Sequence, residues 1–266
     1  MSVNQKNNVH VCGKQDAAQT IIFAHGFGSD QTAFAPLVEA FEDDYKIVLY
    51  DNVGGGKADI DAFSPQRYST LQGYVTDVTD IIKALDLQHI IYVGHSVSGM
   101  IGLLTSIQHP SYFDKLVLLG SSPRYLNDPE KGYTGGFDMP ALNGLYDAMN
   151  TNYYAWASGF SALVVNNPDR PQLAERFSSS LRQIRPDIAL AVAKTIFEMD
   201  HRNELSKSTI PSLVIQTTED PAVPEVVGNY MVEHIPHSKL ARVNTKGHFP
   251  HMSAPDEVIS AIRSFL

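Results

Sequence analysis

The chain has 266 residues, 43% of them apolar and 18% charged, with 20 Lys and Arg against 29 Asp and Glu and a net charge of −9. That much apolar surface excludes a disordered chain, and an acidic surplus without any Lys/Arg run argues against nucleic acid and anionic membrane as partners. Cys12 is the only cysteine, which excludes an intrachain disulfide and a multi-cysteine metal cage. The opening MSVNQKNNVHVCGK is polar, with no apolar signal region. No apolar run is long enough to span a bilayer, so a cytoplasmic protein is expected.

The first elements in chain order are short runs of Ile, Val and Leu: Thr20–Ala24, Lys46–Tyr50, His89–Val93 and Lys115–Leu119. They lack period-two alternation, as strands of a parallel sheet covered on both faces do. Between the second and third lies the best helical stretch, Ser69 to Leu85. It carries a capping-box spacing at Ser69 and Gln72 and an apolar stripe of Leu71, Val75, Val78, Ile81, Ile82 and Leu85. Strand–helix alternation of this kind predicts right-handed βαβ units and an α/β fold.

After Ser122 the alternation stops. From Arg124 to Asp200 only helical segments are visible, broken near Asn166–Asp169 and Arg185–Asp187. Strand signals return at Pro211–Gln216 and Lys239–Val243. Pro224 then suits the first position of a helix reaching about Ile235, and Ser253, with Asp256 three residues on, suits the cap of a final helix. The organisation expected is an α/β core of residues 1–123 and 201–266 interrupted by a helical lid of residues 124–200, longer than an ordinary connection.

The sharpest chemical feature is Gly94-His95-Ser96-Val97-Ser98-Gly99, directly between a strand and a helix. A serine in such a tight turn is held in a strained conformation with its hydroxyl lifted clear of the sheet. The common pattern is G-x-S-x-G, and here Ser98 stands at the second glycine position. A phosphate loop is excluded because Met100 stands where Lys is required, and no dinucleotide fingerprint is present.

A serine needs a base, and the base needs an orienting acid. Asp220 follows the strand ending at Gln216–Thr218, and His248 follows the one beginning at Lys239, so the order is Ser96, Asp220, His248, each on a loop after a strand. Such loops open on one edge of a parallel sheet, where the three can converge. The strand before Gly120-Ser121-Ser122 offers no carboxylate, and Glu219 belongs to a strand end. Acyl transfer also needs N–H donors for a developing oxyanion; the expected pair is Phe27, in His25-Gly26-Phe27-Gly28, and Val97. His25 reads as a support of that loop and His95 as a locally bonded residue, with His109 and His201 at the surface. His234-x-x-His237 and His248-x-x-His251 have ligand-like spacing but lie beside prolines and lack a third ligand, so no metal and no cofactor are expected.

Ten stretches carry a specific resemblance: HGFGSDQTAF, VLYDNVGGGKAD, RYSTLQGY, VGHSVSGMIG, SSPRYLND, GGFD, YYAWASGF, IRPDIALAVAKTIF, EDPAVP and GHFPHMS. On these the chain resembles the α/β-hydrolases, and within them the bacterial RsbQ regulators and the plant strigolactone and karrikin receptors. In that family Ser at the second glycine position is usual. The resemblance implies a four-helix lid over a deep apolar pocket lined by Phe27, Tyr125, Phe137, Trp156, Phe160 and Phe197, with Val97 nearby. It implies slow hydrolysis of a small neutral ester or lactone, coupled to signalling. The alternative it implies is a regulator that senses a small hydrophobic ligand and binds a partner through its lid, in RsbQ-like proteins a PAS-domain phosphatase. Ser96 excludes an Asp-dependent dehalogenase, while perhydrolases and carbon–carbon bond hydrolases share the triad. No apolar surface stripe is left unassigned, so a monomer is expected.

Overall fold

The computed structural model describes residues 1–266. Seven strands form one sheet: β1 (His10–Gly13), β2 (Thr20–Ala24), β3 (Lys46–Tyr50), β4 (Ile90–His95), β5 (Phe113–Leu119), β6 (Ser212–Glu219) and β7 (Ser238–Lys246). Their spatial order is β1-β3-β2-β4-β5-β6-β7, parallel throughout except for β1, which runs antiparallel to β3. The helices are α1 (Val3–Lys6), α2 (Ala35–Phe41), α3 (Gln72–Ala84), α4 (Val97–Gln108), α5 (Met139–Thr151), α6 (Tyr153–Val165), α7 (Pro171–Leu181), α8 (Pro186–Phe197), α9 (Glu225–His234), α10 (Pro250–Ser253) and α11 (Pro255–Phe265). None is long and apolar enough to cross a membrane.

The continuous apolar strands are buried because both faces of the sheet are covered. Ile22, Val48, Tyr92, Leu116 and Val214 point into the larger core layer, which they share with α3, α4, α9 and the helices of the insertion. Their chain neighbours Ile21, Ile47, Ile91, Val117 and Leu213 point into a smaller layer closed by α2 and α11. Along α3, Val75, Val78, Ile81 and Ile82 are fully buried; each contributes about 1.5–3 kcal/mol relative to an exposed side chain, an upper figure because the unfolded chain is itself partly compact. The outer strand β7 is half-exposed and carries Lys239, Arg242 and Lys246, charges that discourage pairing with another sheet.

Three local expectations fail, each for a visible reason. Ser69 does not cap α3: its hydroxyl donates to Gln66 O at 3.0 Å, closing the preceding turn, and the helix begins at Gln72 without a side-chain cap. That turn is held because Arg67 and Tyr68 both reach the Asp77 carboxylate at 2.8 Å. Ser253 does not cap α11, because Pro255 takes the first helical position and moves the cap to Ala254; Ser253 Oγ instead meets Thr245 Oγ1 at 3.2 Å. Pro224 likewise sits one residue before its helix, with extended ψ 149°. Strand β1 was not foreseen, since an edge strand of four residues, HVCG, has too little apolar signal to stand out.

No strand lies between the end of β5 and the start of β6, and α5 to α8 fill that interval. The chain's crossings into and out of it lie side by side. Arg124 Nη1 meets Asp200 Oδ2 at 2.5 Å, and His201 N–H donates to Pro123 O at 2.8 Å.

Candidate active site

Because β2, β4, β5, β6 and β7 are parallel, the loops after them gather at one edge of the sheet. The turn from β4 to α4 puts Ser96 at φ 57°, ψ −126°, a sparsely populated conformation that costs on the order of 1–3 kcal/mol. The surroundings over-determine it: Ser96 N–H donates to Leu119 O at 2.8 Å, and Gly99 N–H returns to Ser96 O at 3.0 Å. Gly94 is required because a Cβ there would come within 2.5 Å of the Ser98 carbonyl group.

The loops after β6 and β7 bring Asp220 and His248 to the same point. His248 Nε2 lies 2.9 Å from Ser96 Oγ, and His248 Nδ1 lies 2.8 Å from Asp220 Oδ2. Asp220 Oδ1 is fixed separately by the N–H groups of Ala222 and Val223 at 2.8 and 3.0 Å. With the carboxylate accepting at Nδ1–H, Nε2 is free to accept the serine proton. Glu219 lies apart from this relay, in an exposed ion pair with Lys246 at 2.8 Å.

The turn after β2 lies against the serine: a Cβ on Gly26 would meet Ser96 Cβ at 2.9 Å. No acceptor in the fold meets the Phe27 N–H, and Val97, first in its helix, has no intrahelical acceptor for its own. Two free donors therefore flank Ser96. Their loop is anchored from below, where Ser98 Oγ donates to His25 O at 2.5 Å and accepts from Asn52 Nδ2 at 3.1 Å. His25 Nδ1 donates to Gly26 O at 2.8 Å while its Nε2 accepts the Asn52 N–H at 3.0 Å.

A narrow apolar cavity of about 30 Å³ opens on Ser96 and His248. Phe27, Tyr125, Phe160 and Phe197 line it, as the resemblance implies. Phe137 and Trp156 do not. Each stands one ring behind the wall, Phe137 against Phe197 at 5.4 Å and Trp156 stacked on Phe160 at 5.0 Å. Phe177, Val164, Ile196, Ala222 and Phe249 take the places on the wall. The heptapeptide Pro171–Phe177 reads as an ordinary amphipathic turn of helix, so only its packing on Phe249, at 4.5 Å, reveals the role of Phe177. Val97 lines a second, smaller cavity of about 20 Å³ on the far side of Phe27 and Ile196, which border both.

The histidines around the triad are structural neighbours. His95 Nε2 donates to the His248 carbonyl at 2.7 Å. His251 stacks on Phe34 at 4.8 Å and packs against His95 at 4.5 Å with the rings tilted by 55°. Burial pushes both rings toward the neutral form, His95 well below the usual histidine range and His251 down to about 3, with the neighbouring imidazoles acting in the same direction. His109 and His201 are half-buried rather than fully at the surface. Least foreseeable was Tyr125: its hydroxyl sits 3.2 Å from Ser96 Oγ, a second contact on the serine that no spacing rule could signal.

Comparison with known proteins shows the family of the fold. The model of the alpha/beta hydrolase fold family matches residues 19–255. The chain is 44% identical to the karrikin insensitive 2 receptor CA of Petunia hybrida, over 98% of this chain and 95% of that one. It is 41% identical to strigolactone esterase D14 of Arabidopsis thaliana, over 97% and 96% respectively. Among solved structures, a hydrolase from Oleispira antarctica is similar with a TM-score of 0.94 at 33% identity, covering 99% of this chain and 95% of that one.

Proposed function

Because the chain belongs to the alpha/beta hydrolase fold family, we propose that Ser96, His248 and Asp220 hydrolyse a small neutral ester or lactone. Ser96 Oγ attacks the carbonyl carbon as its proton passes to His248 Nε2, and Asp220 steadies the imidazolium through Nδ1–H. The Phe27 and Val97 N–H groups receive the charge that develops on the carbonyl oxygen. Collapse breaks the carbon–oxygen bond, the leaving oxygen takes the proton from His248, and water then reverses the sequence to release the acid. The observation that carries this reading is the Asp220–His248–Ser96 relay at 2.8 and 2.9 Å.

The substrate class follows from the cavity wall. Apart from Ser96, Tyr125 and the two histidines it is apolar, with no carboxylate, lysine or arginine to meet a charged ligand. Its size favours a short acyl portion. Residues 124–200 act as the lid, since α6, α7 and α8 supply Phe160, Val164, Phe177, Ile196 and Phe197 to that wall. Turnover of p-nitrophenyl acetate by wild type, with loss in Ser96→Ala, tests the reading; equal turnover by the variant removes it.

A second reading, in which hydrolysis serves a sensor, is favoured by one surface feature. Helix α6 of the lid, YYAWASGFSALVV, carries no charged residue, and its Tyr154 and Leu163 are exposed. The similarity to proteins named as receptors supports it as well. In this reading a cytoplasmic monomer binds a protein partner through the lid when ligand is present, and a PAS-domain phosphatase is the partner class to try. Sedimentation of the protein with such a phosphatase, with and without ligand, tests it: ligand-dependent co-sedimentation supports the sensor, and none removes it.

A further inference from the structure

Two groups, not one, touch the nucleophile oxygen. His248 Nε2 lies 2.9 Å from Ser96 Oγ and the Tyr125 hydroxyl 3.2 Å from it. The direction of both bonds is fixed by proton accounting. His248 keeps its proton on Nδ1, donating that N–H to Asp220, so the neutral ring's Nε2 carries none and accepts the single Ser96 proton. Tyr125 then has only one way to pair with Oγ, which is to donate. Its hydroxyl is held in place from both ends: the ring sits edge-on to Phe197 at 5.3 Å, and the backbone carbonyl accepts the Phe137 N–H at 3.0 Å. The side chain is buried, which pushes the phenol above its ordinary range and keeps it a donor at any working pH.

From this geometry we propose that Tyr125 is a catalytic residue of the deacylation step, donating a hydrogen bond to Ser96 Oγ as that atom leaves the acyl group. The inference rests on Ser96 being the nucleophile. A donor to Oγ stabilises each state in proportion to the charge on that oxygen. The acylated oxygen, an ester oxygen, is the weakest acceptor of the cycle. In deacylation water adds to the acyl carbon and gives a proton to His248 Nε2. The carbon–Oγ bond then breaks, and Oγ gathers charge until the same proton returns to it. Tyr125 keeps its own proton throughout and stabilises the departing Oγ. For acylation the same bond is a restraint, since it holds the resting Oγ that must attack. The residue therefore shifts the balance of the two half-reactions toward release of the acyl group. Tyr125 stands one residue inside the insertion and packs on Phe197 of α8, so this donor reaches the serine from the side of the insertion and not from the sheet.

The test separates the half-reactions. Stopped-flow p-nitrophenol release from p-nitrophenyl acetate gives acylation, and quenched intact mass gives the acyl-enzyme fraction and its decay. Tyr125→Phe keeps the ring contact and removes only the donor. The ratio of acylation to deacylation rate constants is expected to rise about three- to tenfold, the worth of one neutral hydrogen bond, with acyl-enzyme accumulating. An unchanged or lower ratio overturns the proposal, because a merely structural loss slows both steps together. Should Tyr125→Phe melt early, 2,3-difluorotyrosine installed at position 125 makes a stronger donor and is expected to lower the ratio; a rise overturns the proposal. Ser96→Ala runs alongside. If it still acylates, or wild type never does, the nucleophile assignment fails and this proposal falls with it. If wild type acylates at Ser96 and the ratio is indifferent to position 125, only this proposal fails.

Discussion

Ser98 Oγ donates to the His25 carbonyl at 2.5 Å, so the residue that departs from G-x-S-x-G is the one that ties the nucleophile's helix to the Phe27 loop. The same hydroxyl accepts from Asn52, joining α4 to two loops at the sheet edge. Ser98→Gly, which restores the common pattern, leaves a buried carbonyl with one donor fewer. It is expected to lose about 1–3 kcal/mol in urea unfolding, the range for a buried polar group left short of a partner. A fall in kcat of about tenfold is expected with it, as the Phe27 N–H loses its support. Unchanged unfolding and kcat would show that Asn52 alone suffices.

The strain at Ser96 has a separable signature. Glycine adopts φ 57° without penalty and alanine does not. Ser96→Gly is therefore expected to be more stable than Ser96→Ala by about 1 kcal/mol, with both inactive. Thermal melts of the two variants check this, and an equal or reversed order would mean that the turn is relaxed. In the same series Asp220→Asn is expected to lower kcat by roughly 10³–10⁴, since it spoils the tautomer that His248 needs.

Pocket walls are distinguished from the rings behind them by acyl length. Phe160→Ala enlarges the cavity directly, so the rate ratio of p-nitrophenyl butyrate to acetate, which differ by two methylenes, is expected to rise at least about fivefold, a modest share of the roughly 10–200-fold that each methylene can be worth in an apolar pocket. Phe137→Ala, which removes a ring packed behind Phe197, is expected to lower stability and leave that ratio within a factor of about two. A larger change from Phe137 than from Phe160 would reverse the assignment of the wall.

His251 gives the protein an acid-labile point beneath the triad. Its folded pKa of about 3 lies below the unfolded value of about 6.5. The unfolded chain thus binds the extra proton between those values, and stability, full above pH 6.5, falls as pH drops toward 3. His95 adds to this in the same direction. Each contributes a slope of about 1.4 kcal/mol per pH unit. His251→Phe, which preserves stacking on Phe34, is expected to flatten the slope between pH 6 and pH 4.5 by about one proton, read from urea midpoints at constant m-value. An unaltered slope would place the acid sensitivity elsewhere.

What was legible in the sequence is what repeats or abuts. The apolar runs at Thr20, Lys46 and Lys115 announced the parallel strands because both their faces are buried. The chain order Ser96, Asp220, His248 named side chains that the parallel strand ends bring together, His248 lying within 2.9 Å of each of the other two. The resemblance to the strigolactone and karrikin receptors likewise agrees with the relatives found. Less legible was anything decided by a partner distant in sequence. Ser69 and Ser253 carry good capping signals, yet a turn tied to Asp77 and a proline at 255 overrode them. Phe137 and Trp156 are as aromatic as Phe160 and Phe197, and only three-dimensional packing assigns which ring faces the serine. The Tyr125 contact depends on two loops meeting, which no spacing records.

The most direct measurement of the central claim is intact mass after incubation with a small serine-reactive phosphonate, for wild type and Ser96→Ala in parallel. The account predicts one covalent adduct on wild type, mapped to the peptide containing Ser96, and none on the variant. A wild type that stays unlabelled, or a variant that labels at the wild-type rate, would contradict it.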